Sequence, residues 1–144
     1  MSGRHTSAWV VICLGLSALA AGKVSADEAG VAIDTTGLNP ITSGWLTENP
    51  YRADKAQYDV AIKIGKSGYN QNCARCHGLE VKSGGIAPDL RFLDVGKAGD
   101  EWFINRARNG FAMNGQQKMP RWEGVISQEG MWAIRSYIET RPQD

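Results

Sequence analysis

The chain has 144 residues, with 16 Lys and Arg against 15 Asp and Glu and a formal net charge of +1. This length suits a single domain, and a composition that is 42% hydrophobic and 22% charged is typical of a globular protein. These values exclude a disordered tail, a collagen-like repeat and a coiled coil. The sequence also has no basic block of the kind that neutralises nucleic-acid phosphates, so we expect no nucleic-acid partner.

The first 26 residues have the pattern of an export signal. Arg4 and His5 form a weakly basic start, an apolar run of about 14 residues follows over positions 8–21, and Val24-Ser25-Ala26 is typical of a cleavage site. The run is shorter than the roughly 20 apolar residues that a membrane-spanning helix needs. We therefore predict a signal peptide over residues 1–26 that is cleaved on export to the periplasm, rather than a retained anchor.

The next segment, residues 27–53, is predicted to form an irregular N-terminal extension because it contains Pro40, Pro50 and several glycines. Trp45 leaves two alternatives open for this extension, an arm that is pinned to the domain and an arm that is mobile. We expect the domain itself to occupy residues 54–144.

The domain begins with a predicted helix over residues 54–71, on which apolar residues recur at helical spacing and which Asp54 can cap. Gly65 and Gly68 lie inside this helix, where each is unfavourable by about 1 kcal/mol relative to Ala. At least one of them is therefore expected to permit a close backbone crossing.

After signal cleavage the Cys and His residues lie in one place. Loss of Arg4 and Lys23 would leave 14 basic against 15 acidic residues, and the mature chain would contain two cysteines, Cys73 and Cys76, and one histidine, His77. The run Cys73-Ala74-Arg75-Cys76-His77 is a C-x-x-C-H motif, the attachment signal of c-type haem. Thiols at this spacing can bond both vinyl-derived carbons of one porphyrin edge, and the next residue brings its imidazole under the iron.

Three other uses of the two cysteines compete with haem attachment. A structural zinc site would need two further Cys or His ligands, which the mature chain lacks. A thioredoxin-like redox pair would normally lie beside a βαβ pattern, and a disulfide this short would close too small a loop to add much stability. We therefore predict one haem c, bound covalently through Cys73 and Cys76 of an exported protein.

The stretch between this motif and the next predicted helix is rich in glycine and contains Pro88, so we expect loops with at most one short helix. Asp100 is predicted to be the N-cap of a helix over residues 101–109 that ends at Gly110. No alternation of polar and apolar residues is long enough to predict a sheet.

Three methionines could fill the sixth coordination position of the iron. Met119 precedes Pro120 in a polar, loop-like stretch far enough from His77 to reach the other face of the ring, and it is our predicted ligand. Met113 lies in the same stretch and stays open as an alternative. Met131 falls inside an apolar helical pattern and is more simply a core residue.

The last predicted helix starts at Ser127, runs to about Arg141 and is stopped by Pro142. Its apolar stripe contains Met131, Ile134, Tyr137 and Ile138, and we expect its charged residues, Arg135, Glu139 and Arg141, to lie elsewhere. The predicted fold class is all-α.

Over roughly residues 54–141, the order of these elements resembles the small monohaem class I cytochromes c. Gly65 and Tyr69 stand eight and four positions before the first haem cysteine, where that family has a glycine and an aromatic residue, and Ile134 and Tyr137 fit their partners on the last helix. The resemblance implies that the carbonyl of Pro88 accepts a hydrogen bond from His77. It also implies that Met119 is the methionine ligand.

A narrower resemblance covers residues 58–91 and 101–141, which are similar to the periplasmic cytochromes c that accept electrons from pyrroloquinoline-quinone (PQQ)-dependent alcohol dehydrogenases, the ethanol dehydrogenase type in particular. It implies a monomeric periplasmic electron carrier, not itself an enzyme, that passes electrons towards a terminal oxidase. One alternative is a carrier of the same fold for another respiratory or oxidative pathway. The other is a haem sensor or ligand-binding catalyst with an open sixth position.

The surroundings of the haem can be predicted only in part. Arg91 and Trp122 are candidate donors to the haem propionates, although a solvated Arg91 and a packed Trp122 fit the sequence equally. The apolar candidates for the pocket are Tyr69, Leu90, Phe92, Leu93, Trp102, Phe103, Ile104 and Trp122. Four basic residues flank the two ligand motifs and either form a positive patch for a partner or are scattered solvated charges: Arg75, Lys82, Lys118 and Arg121.

Overall fold

The computed structural model describes residues 30–143, so the predicted signal peptide lies outside the described part of the chain. Its helices are α1 (Lys55–Asn72), α2 (Ala74–His77), α3 (Lys97–Asn109) and α4 (Gln128–Glu139). A hairpin of β1 (Phe111–Met113) and β2 (Gln116–Met119) lies between α3 and α4, and short 3-10 helices occupy Pro50–Ala53, Leu79–Val81 and Leu90–Phe92. The predicted helical fold class is confirmed. None of the helices within residues 30–143 is long and apolar enough to cross a membrane.

Helix α1 begins where the sequence predicts. The carboxylate of Asp54 accepts hydrogen bonds from the backbone amides of Ala56, at 2.8 Å, and Gln57, at 3.2 Å. These two amides lie in the first turn, where a helix has no backbone acceptors of its own. The helix ends at Cys73, whose amide donates to the carbonyl of Tyr69 at 2.8 Å, so α1 delivers the chain directly to the C-x-x-C-H motif.

Helices α1 and α4 cross in close contact and form the centre of the core. The rings of Tyr69 and Tyr137 lie 5.5 Å apart between centroids at an interplanar angle of 52°, a favourable tilted arrangement. The α4 helix starts at the predicted cap, because the hydroxyl of Ser127 accepts from the amide of Gly130 at 3.2 Å. The crossing sets where the haem motif, at the end of α1, lies relative to the C-terminal helix.

The N-terminal boundary predicted for α3 is wrong. The helix starts at Lys97 after Gly96, and Asp100 is inside its first turn rather than at the cap. The side chain of Asp100 is fully buried and accepts a 2.8 Å hydrogen bond from Nε of Arg135. A buried carboxylate paired with a guanidinium makes stronger hydrogen bonds than a solvated cap, which explains the difference. Arg135 is itself 1% exposed, so it does not lie on a solvated face of α4.

Residues 30–53 lie against the helical domain. The amide of Ile41 donates to the carboxylate of Glu129 at 2.8 Å, and the guanidinium carbon of Arg108 stands 4.0 Å from the centroid of the Trp45 ring. The structure therefore favours the pinned alternative for the described part of the extension.

The hairpin after α3 is a feature that the sequence analysis missed. Ala112 pairs with Gln117, and the turn contains Asn114 and Gly115 at φ values of 52° and 74°. Asn-Gly is the strongest short-range signal for a two-residue hairpin turn, and it could have predicted this element. The hairpin places Met119 opposite Phe111 at the end of β2.

Candidate functional site

Cys73, Cys76 and His77 form one tight turn at the junction of α1 and α2. The amides of Cys76 and His77 both donate to the carbonyl of Cys73, at 3.1 Å and 2.9 Å. Both cysteines are partly buried, and they form no disulfide with each other. Because one helical turn contains all three side chains, the motif presents its two sulfur atoms and its imidazole from one short, hydrogen-bonded segment.

The thiol of Cys73 lacks the character of a redox-active cysteine. Burial, together with the neighbouring Cys76 thiol, raises the pKa of Cys73 to about 12. Reactive redox thiols have the opposite property, a lowered pKa that populates the thiolate at neutral pH. The environment is therefore apolar, as expected around a porphyrin edge, and it does not favour the thioredoxin-like alternative.

The imidazole of His77 is buried and oriented. Its residue is 8% exposed, and its Nδ1 lies 2.8 Å from the carbonyl oxygen of Pro88. A carbonyl can only accept, so Nδ1 is the donor in this hydrogen bond, and in the neutral imidazole the lone pair then lies on Nε2. The structure thus contains the hydrogen bond that the family resemblance implies, and this bond directs Nε2, the other ring nitrogen, away from the Pro88 carbonyl.

The chain turns back sharply after His77. Gly78 has a φ of 83°, and a Cβ at this position would lie 1.8 Å from the carbonyl oxygen of Lys82, so only glycine fits. The hydroxyl of Tyr69 donates to the carbonyl of Gly78 at 2.8 Å. Tyr69, a residue of the α1–α4 crossing, therefore also holds the first residue after the motif.

Two non-glycine residues with left-handed backbone follow in this turn. Glu80 has a φ of 54° and Val81 a φ of 66°, and the left-handed region is strained for a β-branched residue. The carboxylate of Glu80 accepts from the hydroxyl of Tyr137 at 3.2 Å and from Nη1 of Arg141 at 2.6 Å. These contacts fix the turn against the end of α4.

Pro88 is followed by a capped 3-10 helix that contains Arg91. The carboxylate of Asp89 accepts from the amide of Arg91 at 3.0 Å and from its Nη2 at 2.9 Å. These hydrogen bonds lower the pKa of Asp89 to about 2. Because the guanidinium also donates to the carbonyl of Pro142, at 3.1 Å, Arg91 is held by the protein rather than solvated. Its role as a propionate donor stays a prediction.

Trp122 is partly buried against the core. Its amide donates to the carbonyl of Ala107 at 2.9 Å, and its ring lies so close to Gly30 that a Cβ there would stand 2.2 Å from the nearest ring carbon. The structure thus shows the packed Trp122 that the sequence left open. A contact of its indole N–H with a propionate stays a prediction.

The three methionines differ in exposure. Met131 is 1% exposed in the core of α4, as predicted, whereas Met113 in β1 is 51% exposed. Met119 is partly buried at the end of β2. Met119 and His77 therefore come from different elements, the hairpin and α2.

Large apolar side chains are exposed in an unusual concentration between the motif and the hairpin. Of the predicted pocket residues, Phe92 and Trp102 are exposed, Leu93 and Trp122 are partly buried, and the others are buried. Sequence analysis missed four further exposed members of the same stretch, although their position between the two ligand motifs is a signal that could have identified them: Leu79, Ile86, Val95 and Phe111. Met113, which it names only as an alternative iron ligand, is exposed as well.

Exposed large apolar side chains of this kind are typical of a binding site for an apolar partner or ligand. Here they accompany two cysteines in attachment spacing and an imidazole that is oriented through its Nδ1. A planar, largely apolar porphyrin with two reactive vinyl groups and a metal has a matching chemistry. The residues present therefore fit haem c.

Comparisons with known proteins agree with this chemistry. Residues 60–138 match the family model described as cytochrome C oxidase, cbb3-type, subunit III. The chain is 52% identical to cytochrome c550 of Pseudomonas aeruginosa over 140 residues, which cover 97% of each protein. It is 31% identical over 85 residues to the quinohemoprotein alcohol dehydrogenase ADH-IIG of Pseudomonas putida, a match that covers 59% of this chain and 11% of that protein. No solved structure matches.

The family model matches more than half of the chain, and the likeness to cytochrome c550 extends over nearly all of it. Proteins of this kind are electron carriers and not enzymes. Together with the motif and its geometry, these matches show that the chain belongs to the cytochrome c family and has haem c attached covalently through Cys73 and Cys76.

Proposed function

We propose that this cytochrome c is a periplasmic one-electron carrier that accepts electrons from a PQQ-dependent alcohol dehydrogenase of the ethanol-oxidising type and passes them towards a terminal oxidase. The observation that carries the choice of partner is the 31% identity over 85 residues to a quinohemoprotein alcohol dehydrogenase. The export pattern of residues 1–26 supports the compartment.

We further propose that His77 and Met119 are the two axial ligands. When bound, haem c supplies reversible one-electron exchange at its iron, and ligation by His and Met raises the reduction potential. His77 would contribute Nε2 to the iron. Its Nδ1 donates to the carbonyl oxygen of Pro88, with 2.8 Å between the two atoms, and this hydrogen bond fixes the plane of the ring. Met119 would hold the iron from the other side, and an iron whose two protein ligands leave no open position would serve a carrier rather than a catalyst.

The chain's apolar residues keep water from the site. Leu90, Phe103 and Ile104 are buried in the core beside the segment that contains Pro88 and the start of α3. Phe92, in the segment after Pro88, and Trp102, in α3, have exposed apolar side chains. A rigid environment without water favours the reduced iron, which has less charge than the oxidised iron. It also keeps the reorganisation energy of electron transfer small.

Partner docking is proposed to use the basic residues that flank the two ligand motifs. Arg75, Lys82, Lys118 and Arg121 all have exposed side chains. Arg121 also contacts the carboxylate of Glu123 at 3.4 Å, which reduces its share of the local positive potential. Redox encounters are small and short-lived, so charge here would steer the approach rather than stabilise a permanent complex.

The test is stopped-flow reduction of the purified holoprotein by candidate dehydrogenases. A PQQ-dependent ethanol dehydrogenase, reduced by its alcohol, should reduce this cytochrome rapidly and with saturation at micromolar concentrations. A quinoprotein that oxidises a substrate other than an alcohol is the matched control and should react slowly. Fast reduction by the control together with no reduction by the alcohol enzyme would refute the proposed partner.

A second candidate is a class I cytochrome c that serves another respiratory pathway. It is favoured by the family model over residues 60–138, whose description names a subunit of a cytochrome oxidase and no dehydrogenase. The same stopped-flow series distinguishes the two candidates, because a carrier for another pathway would be oxidised quickly by an oxidase but would not be reduced by the alcohol enzyme.

A further inference from the structure

Four charged side chains meet inside the protein where the N-terminal extension, α3 and α4 come together. They are Arg52, Asp100, Arg135 and Glu139, hereafter the four-charge cluster. Arg135 donates to Asp100 at 2.8 Å and lies 3.2 Å from Glu139, while Nη2 of Arg52 reaches Asp100 at 2.9 Å and Glu139 at 2.5 Å. Two positive and two negative charges leave no net charge in the cluster.

The extension supplies part of the hydrogen bonding of the cluster. Asp100 and Arg135 are 0% and 1% exposed, so neither can exchange its partner for bulk water. The extension supplies Arg52, and it also supplies Asn49, whose amide donates to Asp100 at 2.9 Å and whose side chain donates to Ser136 at 2.8 Å. Removing one partner of such a buried group leaves an uncompensated charge.

The same cluster also holds the segment that connects Pro88 to α3. Nη2 of Arg135 donates to the carbonyl of Asp94 at 2.6 Å, and Gly99 packs so closely on this carbonyl that a Cβ would lie 1.8 Å from its oxygen. Asp94 follows the 3-10 helix Leu90–Phe92, which itself follows Pro88, the residue that binds His77. On the other side, Asp100 lies in the turn of α3 that leads to Trp102.

We propose that the N-terminal extension fixes the haem-pocket wall over residues 90–99 through the four-charge cluster, which makes Asn49 and Arg52 positioning residues for electron transfer. The extension acts by geometry, since the cluster has no net charge. The inference depends on the attached haem but not on which dehydrogenase supplies the electron, so a wrong partner assignment would leave it intact.

The test compares two substitutions of opposite charge. Arg52→Gln leaves the cluster with one excess negative charge, whereas Asp100→Asn leaves it with one excess positive charge. If the cluster positions the wall, both variants should admit water, lower the reduction potential and speed the binding of imidazole to the oxidised holoprotein, by about tenfold for one lost charged hydrogen bond. Amide hydrogen exchange over residues 90–99 should rise in both.

Three further variants make the result decisive. Arg52→Lys keeps the charge and should restore most of the potential and of the imidazole rate, and Asn49→Ala should loosen the wall without a change of charge even if Asp100→Asn fails to fold. Lys55→Gln is the control for charge removal, because Lys55 is an exposed α1 residue outside the cluster that pairs with Asp59 at 2.7 Å. Shifts of potential in opposite directions for the two cluster variants, or an unchanged potential and imidazole rate in Arg52→Gln, would overturn the proposal.

Discussion

Gly65 of α1 lies directly against the carbonyl group of Ala133 in α4: a Cβ on Gly65 would stand 1.8 Å from the carbonyl oxygen and 2.4 Å from the carbonyl carbon. Both atoms belong to backbone, so neither can move without shifting a helix. Gly65→Ala should therefore separate α1 from α4 and lower the free energy of unfolding by about 3 kcal/mol or more, at the upper end of overpacking effects. Chemical denaturation of the holoprotein measures this loss.

Gly44→Ala is the matched control for that substitution. A Cβ at Gly44 would meet nothing within 4 Å, so its effect should stay within about 0.5 kcal/mol. Equal stability of the Gly65 and Gly44 variants would contradict the helix crossing described above.

Replacement of the two hairpin methionines distinguishes the proposed sixth ligand from its alternative. Met119→Ala should lower the reduction potential, remove the weak near-infrared band of Met-ligated oxidised iron and let carbon monoxide bind to the reduced form, because the thioether leaves the iron. Met113→Ala should change none of these. Met113 is already 51% exposed in β1, and the reverse pattern would assign the ligand to the other sulfur.

Acid should weaken the segment that holds His77. Arg91 lowers the pKa of Asp89 from 3.8 to about 2, so the carboxylate stabilises the fold fully above its unfolded-state pKa and loses this contribution as the pH falls from about 4 towards 2. Asp89→Asn should reduce stability above that window, and the difference from the wild type should narrow within it. Unfolding free energies measured across the window provide the check.

Arg91→Gln offers an independent test of the cause of this pKa shift. It removes the hydrogen bonds that lower the pKa of Asp89 and should flatten the same part of the stability profile. A wild-type profile with no slope over this pH range would contradict the role assigned to the Asp89–Arg91 pair.

Reduction by the dehydrogenase should slow as salt is added if the basic residues around the haem motifs steer docking. The screening length falls from about 30 Å at 0.01 M to about 8 Å at 0.15 M ionic strength, so the second-order rate constant should drop over this range. Lys118→Gln should reduce both the low-salt rate and its dependence on salt. Lys63→Gln, an exposed change on α1 outside this group, is the control, and a salt-independent rate would remove the steering proposal.

Local signals in the sequence predicted the parts of the fold that depend on neighbours along the chain. Asp54 and Ser127 cap α1 and α4 as expected, because their side chains bond amides only two or three residues away. Gly65 and Tyr69 were placed by family resemblance and meet α4 as that resemblance implies. The C-x-x-C-H motif is also a local signal, because its two cysteines and its histidine lie within five consecutive residues.

Pairing between residues that are distant along the chain explains why the predicted N-terminal boundary of α3 is wrong. Asp100 looks like a helix cap, but its actual partner, Arg135, is 35 positions away and gives no local signal. Leu79 and Ile86, which are exposed between the two ligand motifs, likewise look like ordinary loop residues when helical or strand periodicity is the guide. The hairpin, by contrast, had a local signal in Asn114-Gly115 that was overlooked because its strands are only three and four residues long.

The central claim, a carrier whose covalently attached haem is closed by His77 and Met119, is tested most directly by the absorption spectrum of the purified holoprotein under carbon monoxide. The account predicts a reduced spectrum that carbon monoxide leaves unchanged and a pigment that stays with the polypeptide after denaturation. Rapid formation of a carbon monoxide complex, or a pigment that is lost on unfolding, would contradict it.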